Sequence, residues 1–179
     1  GATEDTLYNI SYTSLKAASN AADVDGDTIS FRIETVSTGT LVKAGVAVTP
    51  GSTLLSAGES LSWMPAANAN GNLNAFTIVA WDGALTSGTP VQVVVNTAAV
   101  NDAPVASAGT LTTNEDTAAS GTLVGSDIEG SALTYSIVTQ PTKGAVVITD
   151  ASTGAYTYTP TANLNGSDTF TFRVYDGAL

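Results

Sequence analysis

Acidic side chains recur at three kinds of position in this chain. Glu-Asp pairs, Asp-x-Asp or Asp-x-Glu motifs before a strand-like run, and Asp-Gly pairs after an aromatic run each occur twice. Carboxylates from separate loops repel one another unless a hard cation lies between them, and Ca²⁺ takes roughly six to eight oxygen ligands at about 2.3–2.6 Å. The pattern therefore predicts a calcium site. The recurring acidic residues are Glu4, Asp5, Asp23, Asp25, Asp82, Glu115, Asp116, Asp127, Glu129 and Asp176.

Composition excludes most other chemistries. The chain has no Cys and no His, which rules out disulfides, thiolate metal sites and every imidazole-dependent triad. Sixteen acidic residues against five basic ones give a net charge of -11, which repels nucleic acid and anionic lipid and attracts cations. The apolar runs are too short to span a bilayer. We expect no nucleic acid partner, no membrane insertion and no catalytic role.

Each acidic motif also has a purely structural interpretation. Asp-Gly pairs are common turn formers because Asp bonds its own backbone, and the Glu-Asp pairs could be ordinary solvated loop residues. Asp23, Asp25 and Asp27 have the ligand spacing that opens an EF-hand loop, with Glu34 at its last position. Thr28 stands where that loop needs Gly, and a strand follows, so the EF-hand interpretation fails. For the other motifs, the turn and calcium interpretations both stay open.

The acidic motifs belong to a longer series that occurs twice in the same order. Ordered self-similarity of this kind indicates a repeat architecture. The stretch AAVNDAP at 98–104 lies between the two copies and is predicted to be a linker. The clearest matches pair residues 4–6 with 115–117, 23–26 with 127–130, 68–71 with 163–166, and 76–85 with 170–179.

Short strands with period-two alternation fill both copies, separated by Gly, Asn, Asp and Pro. A segment at 14–22 has room for one helical turn and is interpreted as an insertion, while 68–74 is predicted to be a turn. We predict an all-β fold of two tandem Greek-key β-sandwich domains, at residues 1–100 and 101–179. The predicted strands are 7–12, 28–34, 40–48, 60–64, 76–81 and 91–96 in the first copy, and 111–113, 121–124, 133–138, 145–149, 156–159 and 169–175 in the second.

Aromatic and aliphatic residues indicate where the cores lie. Phe170, Phe172 and Val174, opposed by Tyr156 and Tyr158, are predicted to form the core of the second domain. The run VQVVV at 91–95 suggests burial on both faces or an edge packed on a neighbouring domain. Trp63, Trp81 and Tyr175 are also interpreted as core residues rather than ligand platforms.

The two copies begin and end out of phase with one another. The first strand of the first domain is short or missing, and the last strand of the second domain is missing. We therefore expect the chain to be a window from a longer array, with neighbouring repeats of the parent chain as its partners. Unpaired sheet edges also predict some tendency to form an edge-strand homodimer.

The full pattern resembles a known family. NDAP at 101–104, NEDT at 114–117, D-x-E-G-x-x-L-T-Y at 127–135 and TFTFRVYDG at 169–177 are similar to the cadherin-like tandem repeats of large bacterial surface proteins, including RTX-type adhesins. The resemblance covers nearly all of the second copy and, more loosely, the first. It implies cadherin- or Ig-like sandwiches, a location that is extracellular or on the bacterial cell surface, and Ca²⁺ at the junctions between domains.

Carried over residue by residue, the resemblance implies a set of calcium ligands. Asp23, Asp25 and Asp82 would serve the junction with a preceding domain, and Glu115 the junction with a following one. The linker lacks the second Asn that a cadherin has after Asp102, and the cadherin Asp-Arg-Glu motif has no equivalent, so we expect one ion rather than three. The ligands implied for the junction between the two copies are Glu4, Asn101, Asp102, Asp127, Glu129 and Asp176.

The implied function is a calcium-binding structural or adhesive module in which Ca²⁺ rigidifies the junction between domains. Its outer surface would face a cell-surface protein or a glycan. The alternative is a carbohydrate-binding accessory module of an extracellular polysaccharide-active protein, which would need Trp63 or Trp81 exposed as a flat platform. An enzyme such as a carboxylate-pair glycosidase is disfavoured, because the acidic residues are confined to loops in a repeated pattern.

Overall fold

The structure, a computed structural model, describes residues 1–179 and is built almost entirely of β-strands. A single helix of eight residues is present, and no helix has the length and apolar character needed to cross a bilayer. The chain divides into two compact units, Gly1–Val100 and Asn101–Leu179. The prediction of an all-β fold is confirmed.

The first unit is a sandwich of two sheets. Its elements are β1 (Ala2–Thr3), β2 (Tyr8–Ser11), α1 (Tyr12–Ser19), β3 (Ser30–Val36), β4 (Thr40–Lys43), β5 (Val46–Ala47), β6 (Leu54–Leu55), β7 (Ser60–Met64), β8 (Gly71–Trp81) and β9 (Val91–Ala98). One sheet has the order β1-β9-β8-β3-β6 and the other the order β2-β7-β4-β5. All pairs are antiparallel except β1 with β9, which run parallel.

The core of the first unit lies between these two sheets. Phe31 and Ile33 on β3, Phe76 on β8, and Leu61 and Trp63 on β7 are each at most 1 % exposed. Alternation along each strand places these side chains on one face. Burying a large apolar side chain stabilises the fold by about 1.5–3 kcal/mol.

The helix α1 forms in the segment predicted to be an insertion. Ser11 caps it, since its Oγ accepts a hydrogen bond from the backbone N–H of Ser14 at 3.1 Å, and Asn20 ends it in a left-handed conformation. A helix this short is not stable alone. The hydroxyl of the buried Tyr12 donates to the carbonyl of Ile29 at 2.7 Å, so tertiary contacts hold the helix in place.

The second unit has three small sheets and a smaller core. Its strands are β10 (Val105–Ser107), β11 (Ala119–Thr122), β12 (Val124–Ser126), β13 (Thr134–Thr139), β14 (Gly144–Asp150), β15 (Ala155–Pro160) and β16 (Thr171–Tyr175). They pair antiparallel as β10-β12, β11-β15-β14 and β13-β16. The fully buried apolar residues are Leu123, Tyr135, Val146 and Tyr156, against which Tyr158, Phe170, Phe172 and Val174 pack while partly exposed. The predicted aromatic core is therefore confirmed.

The β3–β8 ladder of the first unit and the β13–β16 ladder of the second unit have matching registers. Phe31 on β3 lies opposite Ala80 on β8, and Tyr135 on β13 lies opposite Val174 on β16. Each ladder shifts register near its far end, after Ile33 in the first unit and two residues after Tyr135 in the second. A pair of threonine hydroxyls bonds across each shift, Thr35 with Thr77 at 2.8 Å and Thr139 with Thr171 at 2.6 Å.

Several predicted boundaries were wrong. The single strand predicted at 40–48 is a hairpin of β4 and β5, because Ala44 and Gly45 both take positive φ, at 50° and 79°, as a two-residue hairpin turn requires. The turn predicted at 68–74 ends early, since β8 begins at Gly71. No strand forms at 111–113, and β10 comes before it instead.

Two predictions about burial were also wrong. Val91 and Val94 are 54 % and 52 % exposed, and Tyr175 is 47 % exposed. The valine run therefore faces solvent on one side of β9, because a sheet that covers one face of a sandwich leaves its other face in water. Trp63 is a core residue as predicted, whereas Trp81 is half-buried.

Gly39 lies at a position where a larger residue cannot fit. Its φ is +67°, and an added Cβ would lie 2.1 Å from the carbonyl oxygen of Met64 and 3.0 Å from Trp63 Nε1. Gly58 has a similar φ of +84° with open space around it. We expect Gly58→Ala to destabilise the protein by about 1–2 kcal/mol through backbone strain alone. Gly39→Ala should cost roughly 3–5 kcal/mol because steric overlap adds to the strain.

Urea unfolding followed by tryptophan fluorescence measures this difference, since Trp63 and Trp81 are the two tryptophans of the chain and both lie in the first unit. Equal losses for the two variants would contradict the steric account.

Candidate metal centre

The ladder of β13 and β16 positions two acidic loops at one end of the second unit. Thr134, the first residue of β13, lies opposite Tyr175, the last residue of β16. The loop that enters β13 and the loop that leaves β16 therefore meet at the same end of the sheet. The first of these loops carries Asp127 and Glu129, and the second carries Asp176. We call this end of the unit the acidic pole.

Asp176 shapes the loop that leaves β16. Its Oδ1 accepts the backbone N–H groups of Ala178 and Leu179 at 2.8 and 2.7 Å, and Gly177 takes a φ of +100°. Its Oδ2 accepts from the side-chain amide of Asn101 at 2.6 Å. Asp176 Oδ1 therefore stabilises a turn, as the turn interpretation of the Asp-Gly pair predicted. Asp176 Oδ2 instead connects this loop to Asn101 at the start of the unit.

Asp102 and Glu129 form a second link across the acidic pole. The backbone N–H of Asp102 donates to Glu129 Oε2 at 3.1 Å, and the carboxylates of these two residues come within 4.8 Å of each other. Two negative charges at that separation repel unless a cation or a proton lies nearby. Asn101, Asp102, Glu129 and Asp176, all implied by the resemblance, are thus brought together.

Asp127 has an oxygen without a partner. Its Oδ1 accepts the backbone N–H of Ser131 at 2.8 Å, and its backbone carbonyl accepts the N–H of Gly130 at 3.3 Å. Its Oδ2 is buried and has no hydrogen-bond partner. A buried carboxylate oxygen without a donor is costly. This oxygen therefore fits a metal ligand better than a solvated loop residue.

Glu4, in the first unit, is buried with only 1 % of its surface exposed. Its Oε1 accepts the backbone N–H of Val100 at 2.6 Å, and its Oε2 accepts the side-chain amide of Asn70 at 3.0 Å. Both donors are neutral. The two ion pairs of the chain, Arg32 with Glu34 and Lys43 with Glu59, do not involve Glu4.

The structure does not gather Asp23, Asp25 and Asp82 into a group of three converging carboxylates. Asp23 Oδ1 accepts the backbone N–H groups of Asp25 and Asp27 at 2.9 and 3.0 Å. Asp82 Oδ1 accepts those of Ala84 and Leu85, both at 2.7 Å, and these hydrogen bonds, that from Leu85 first, hold the pKa of Asp82 below its usual value. The side chains of Asp23 and Asp82 each shape their own loop, and the role of all three residues as ligands stays a prediction.

Sequence reasoning overlooked Asp168, which organises the opposite part of the second unit. It accepts the backbone N–H groups of Thr142 and Lys143 at 2.9 and 2.8 Å and the hydroxyl of Tyr158 at 3.0 Å. Partial desolvation raises the pKa of Asp168, but these hydrogen bonds outweigh it and lower the pKa overall. Desolvation and the neighbouring carboxylate raise the pKa of Tyr158. Asp168 lies outside the three recurring motifs, so the pattern gave no signal for it.

The hydrogen bond from Asn101 predicts how Asp176 titrates. This bond first, and then the two backbone donors, lower the pKa of Asp176 to about 2. Because that value is below the ordinary value of about 3.9, ionised Asp176 stabilises the fold fully above about pH 4, and this contribution is lost as the pH falls toward 2. We expect Asn101→Ala to raise the pKa of Asp176 by roughly one unit.

Carbon-13 NMR titration of the Asp176 carboxyl measures this change, with Asn114→Ala as the control that removes an exposed amide elsewhere. An Asp176 pKa that is ordinary in the unmodified protein, or indifferent to Asn101→Ala, would show that the bond does not form.

Comparison with known proteins finds one sequence similarity, and it lies within the second unit. Residues 101–179 match the sequence model of the family described as bacterial Ig domain, and these are the residues of that compact unit. No curated protein matches the chain. The finer resemblance to the cadherin-like repeats of adhesins stays a prediction.

Two solved structures are similar over 99 % of this chain at 24 % identity, with TM-scores of 0.35 and 0.34. They are the endo-fucoidan hydrolase MfFcnA4 from glycoside hydrolase family 107 and a variant of it. The chain spans 25 % of the length of those structures, and a similarity this low carries no argument about function. The family comparison therefore shows only that residues 101–179 are similar in sequence to the bacterial Ig domain family.

Proposed function

We propose that this protein is a calcium-binding structural module of a bacterial cell-surface or secreted protein, in which Ca²⁺ stiffens the linker that enters the second unit. The ion would bind at the acidic pole. The role is mechanical, since the residues there offer ligands and no nucleophile activated by a base.

The donor set at the acidic pole supports calcium over other metals. Carboxylate and amide oxygens are the only side-chain ligands there, and hard oxygen ligands suit Ca²⁺. Because the side chain of Asn101 donates to Asp176 through its amide nitrogen, the Oδ1 of Asn101 is available to a cation. Asp102, Asp127 and Glu129 would supply carboxylate oxygens, and water would complete the coordination.

The observation that carries the proposal is the buried Oδ2 of Asp127 without a hydrogen-bond partner. It lies in the same loop as Glu129, whose carboxylate comes close to that of Asp102. A divalent ion would satisfy the unpartnered oxygen and neutralise the repulsion at once.

Glu4 supports the stiffening role from the first unit. A buried carboxylate held only by neutral donors is costly, and a bound cation would offset that cost. Glu4 already holds the backbone of Val100, and Asp102 follows only two residues later in the chain. The resemblance to cadherin-like repeats implies Glu4 as a ligand as well, so the proposed ligand set includes Glu4.

Stiff junctions would suit an adhesive or spacer role. A chain of sandwich modules joined by flexible linkers coils up, whereas rigid linkers extend it. The net charge of -11 would add repulsion along such a chain and strengthen its need for cations. The outer surface would then be presented to a cell-surface protein or a glycan.

The carbohydrate-binding alternative has less support. Trp63 is fully buried, and its Nε1 donates to the carbonyl of Thr38 at 2.9 Å, so it offers no platform. The Arg32 guanidinium lies 5.8 Å from the ring centroid of the half-buried Trp81. The cation therefore occupies a face on which a sugar would need to stack.

Thermal unfolding with and without calcium tests the proposal. We expect millimolar Ca²⁺ to raise the melting temperature, because a ligand that binds only the folded state stabilises it. At a calcium concentration 100 times Kd, the free energy of unfolding would rise by about 2.7 kcal/mol. Asp127→Asn and Asp102→Ala should each abolish most of the rise, because each removes a proposed ligand. Differential scanning calorimetry measures the melting, and small-angle scattering reports whether calcium narrows the range of interdomain angles.

Asp27→Asn is the matched control, since it removes a negative charge from an exposed residue of the first unit that is not among the implied calcium ligands. It should leave the calcium effect intact. Identical melting in calcium and in chelator would refute the proposal. If Asp27→Asn lost as much of the calcium-induced rise in melting temperature as Asp127→Asn, general charge screening would explain that rise.

A further inference from the structure

An Asn-Gly pair occurs at matching places in the two units. Asn70-Gly71 of the first unit corresponds to Asn165-Gly166 of the second. Asparagine is a thermolabile residue, and glycine makes it more so, because a glycine nitrogen has no side chain beside it to hinder attack on the side-chain carbonyl carbon of the asparagine. That attack closes a succinimide ring and releases ammonia. The two units place the same labile pair in different surroundings.

In the first unit the surroundings fix both reacting groups. The side-chain amide of Asn70 donates to Glu4 Oε2 at 3.0 Å, and Gly71 is the first residue of β8, where it lies opposite Thr97 of β9. No lysine side chain donates to this pair. A side chain bound to a buried carboxylate and a backbone fixed in a ladder both oppose ring closure.

In the second unit the same two groups are unhindered. Asn165 and Gly166 lie in an exposed loop between β15 and β16. Neither the side chain of Asn165 nor the backbone N–H of Gly166 forms a hydrogen bond with the rest of the protein. The nitrogen that would attack and the carbon that it would attack are therefore both accessible.

Lys143 contacts the peptide bond that would react. Its Nζ donates to the carbonyl oxygen of Asn165 at 3.0 Å. Gly166 leaves room for this contact, since an added Cβ there would lie 3.1 Å from Nζ. The two ion pairs of the chain use Arg32 and Lys43 instead, so no carboxylate neutralises the charge of Lys143.

The backbone of Lys143 is anchored on both sides of its side chain. Its N–H donates to Asp168 Oδ2 at 2.8 Å, and its carbonyl accepts the N–H of Thr161 at 2.8 Å. The residue is also half-buried. The fold therefore holds the Lys143 ammonium against the loop rather than leaving it free in solvent.

We propose that Asn165 is a site of spontaneous deamidation, promoted by the Lys143 ammonium. A positive charge on the carbonyl oxygen of the Asn165–Gly166 peptide bond stabilises the anion that forms when the Gly166 N–H loses its proton to a solvent base. The anionic nitrogen attacks Cγ of Asn165, the bond from Cγ to Nδ2 breaks, and ammonia leaves with a proton from solvent. Water then opens the succinimide at either carbonyl carbon, which leaves aspartate or isoaspartate at position 165.

The reaction changes the charge and the backbone of the loop. It adds a carboxylate to a chain whose net charge is already -11, and the isoaspartate product lengthens the main chain by a methylene group. The new carboxylate would lie beside Lys143 and pair with its ammonium. The lengthened backbone would come shortly before Asp168, which fixes this part of the unit through its hydrogen bonds.

Peptide mapping by mass spectrometry of the folded protein, aged at neutral pH, measures the reaction. A protease that does not cleave at lysine gives the same peptides from every variant. We expect Asn165 to be converted faster than Asn70. Lys143→Met should slow the conversion of Asn165 about tenfold, because it removes a charge-assisted hydrogen bond from the reacting peptide bond. The rate at Asn70 should not change.

Two further variants serve as controls. Lys143→Arg keeps the positive charge and should retain most of the rate, whereas Lys16→Met removes an exposed lysine of the first unit and should leave it unchanged. The sign of the Lys143→Met effect separates promotion from a structural role, since a loosened loop would close the ring faster. In urea, where both pairs lose their surroundings, the rates at Asn70 and Asn165 should converge.

Two outcomes would overturn the proposal. The first is conversion of Asn70 in the folded protein at least as fast as that of Asn165, which would show that the loop does not favour the reaction. The second is an unchanged or faster conversion of Asn165 in Lys143→Met, which would show that the ammonium does not promote it. The first comparison needs no variant, so it holds even if Lys143→Met fails to fold.

Discussion

The structure depends on how an excess of carboxylates is stabilised when very few cationic side chains are available. Five basic residues face sixteen acidic ones, and only two ion pairs form. Backbone N–H groups and side-chain amides instead stabilise the carboxylates by donating hydrogen bonds to them. Examples are Asp23, Asp82, Asp168 and Asp176. Each such carboxylate fixes the loop that surrounds it, so charge and backbone conformation are coupled throughout the molecule.

That supply of neutral donors is incomplete at two places. Asp127 keeps a buried oxygen without a donor, and Glu4 is buried with two neutral donors only. Both residues are costly in the absence of a cation. The ladder between β13 and β16 brings the loop that carries Asp127 and Glu129 to the same end of the unit as the loop that carries Asp176. The strand pairing of the fold therefore also positions the loops that carry the proposed metal ligands.

Much of the fold could be predicted from the sequence, because the side-chain period of a strand is visible in it. The strands that contain Ile33 and Phe76 were predicted from this alternation, and Trp63 was interpreted as a core residue because it is a large aromatic side chain. The hairpin at Ala44-Gly45 was missed because Ala is an unusual residue at positive φ. The exposure of Val91 and Val94 was missed because a run of apolar residues carries no information on which face is covered.

The acidic pole was predictable in part. Asn101, Asp102, Glu129 and Asp176 were implied as ligands by the resemblance to cadherin-like repeats. The unpartnered Asp127 Oδ2 could not be predicted, because burial of a single atom depends on side-chain conformation. Asp168 was missed for a related reason, since its hydrogen-bond donors are backbone groups that no sequence pattern marks.

A crystal structure from crystals grown in millimolar calcium chloride, with anomalous scattering to identify the metal, tests the central claim most directly. The account predicts a calcium peak about 2.3–2.6 Å from Asp127 Oδ2, with oxygens of Asp102 and Glu129 among its other ligands. A well-ordered Asp127 whose Oδ2 is bound by water alone, with no metal at the acidic pole, would contradict it.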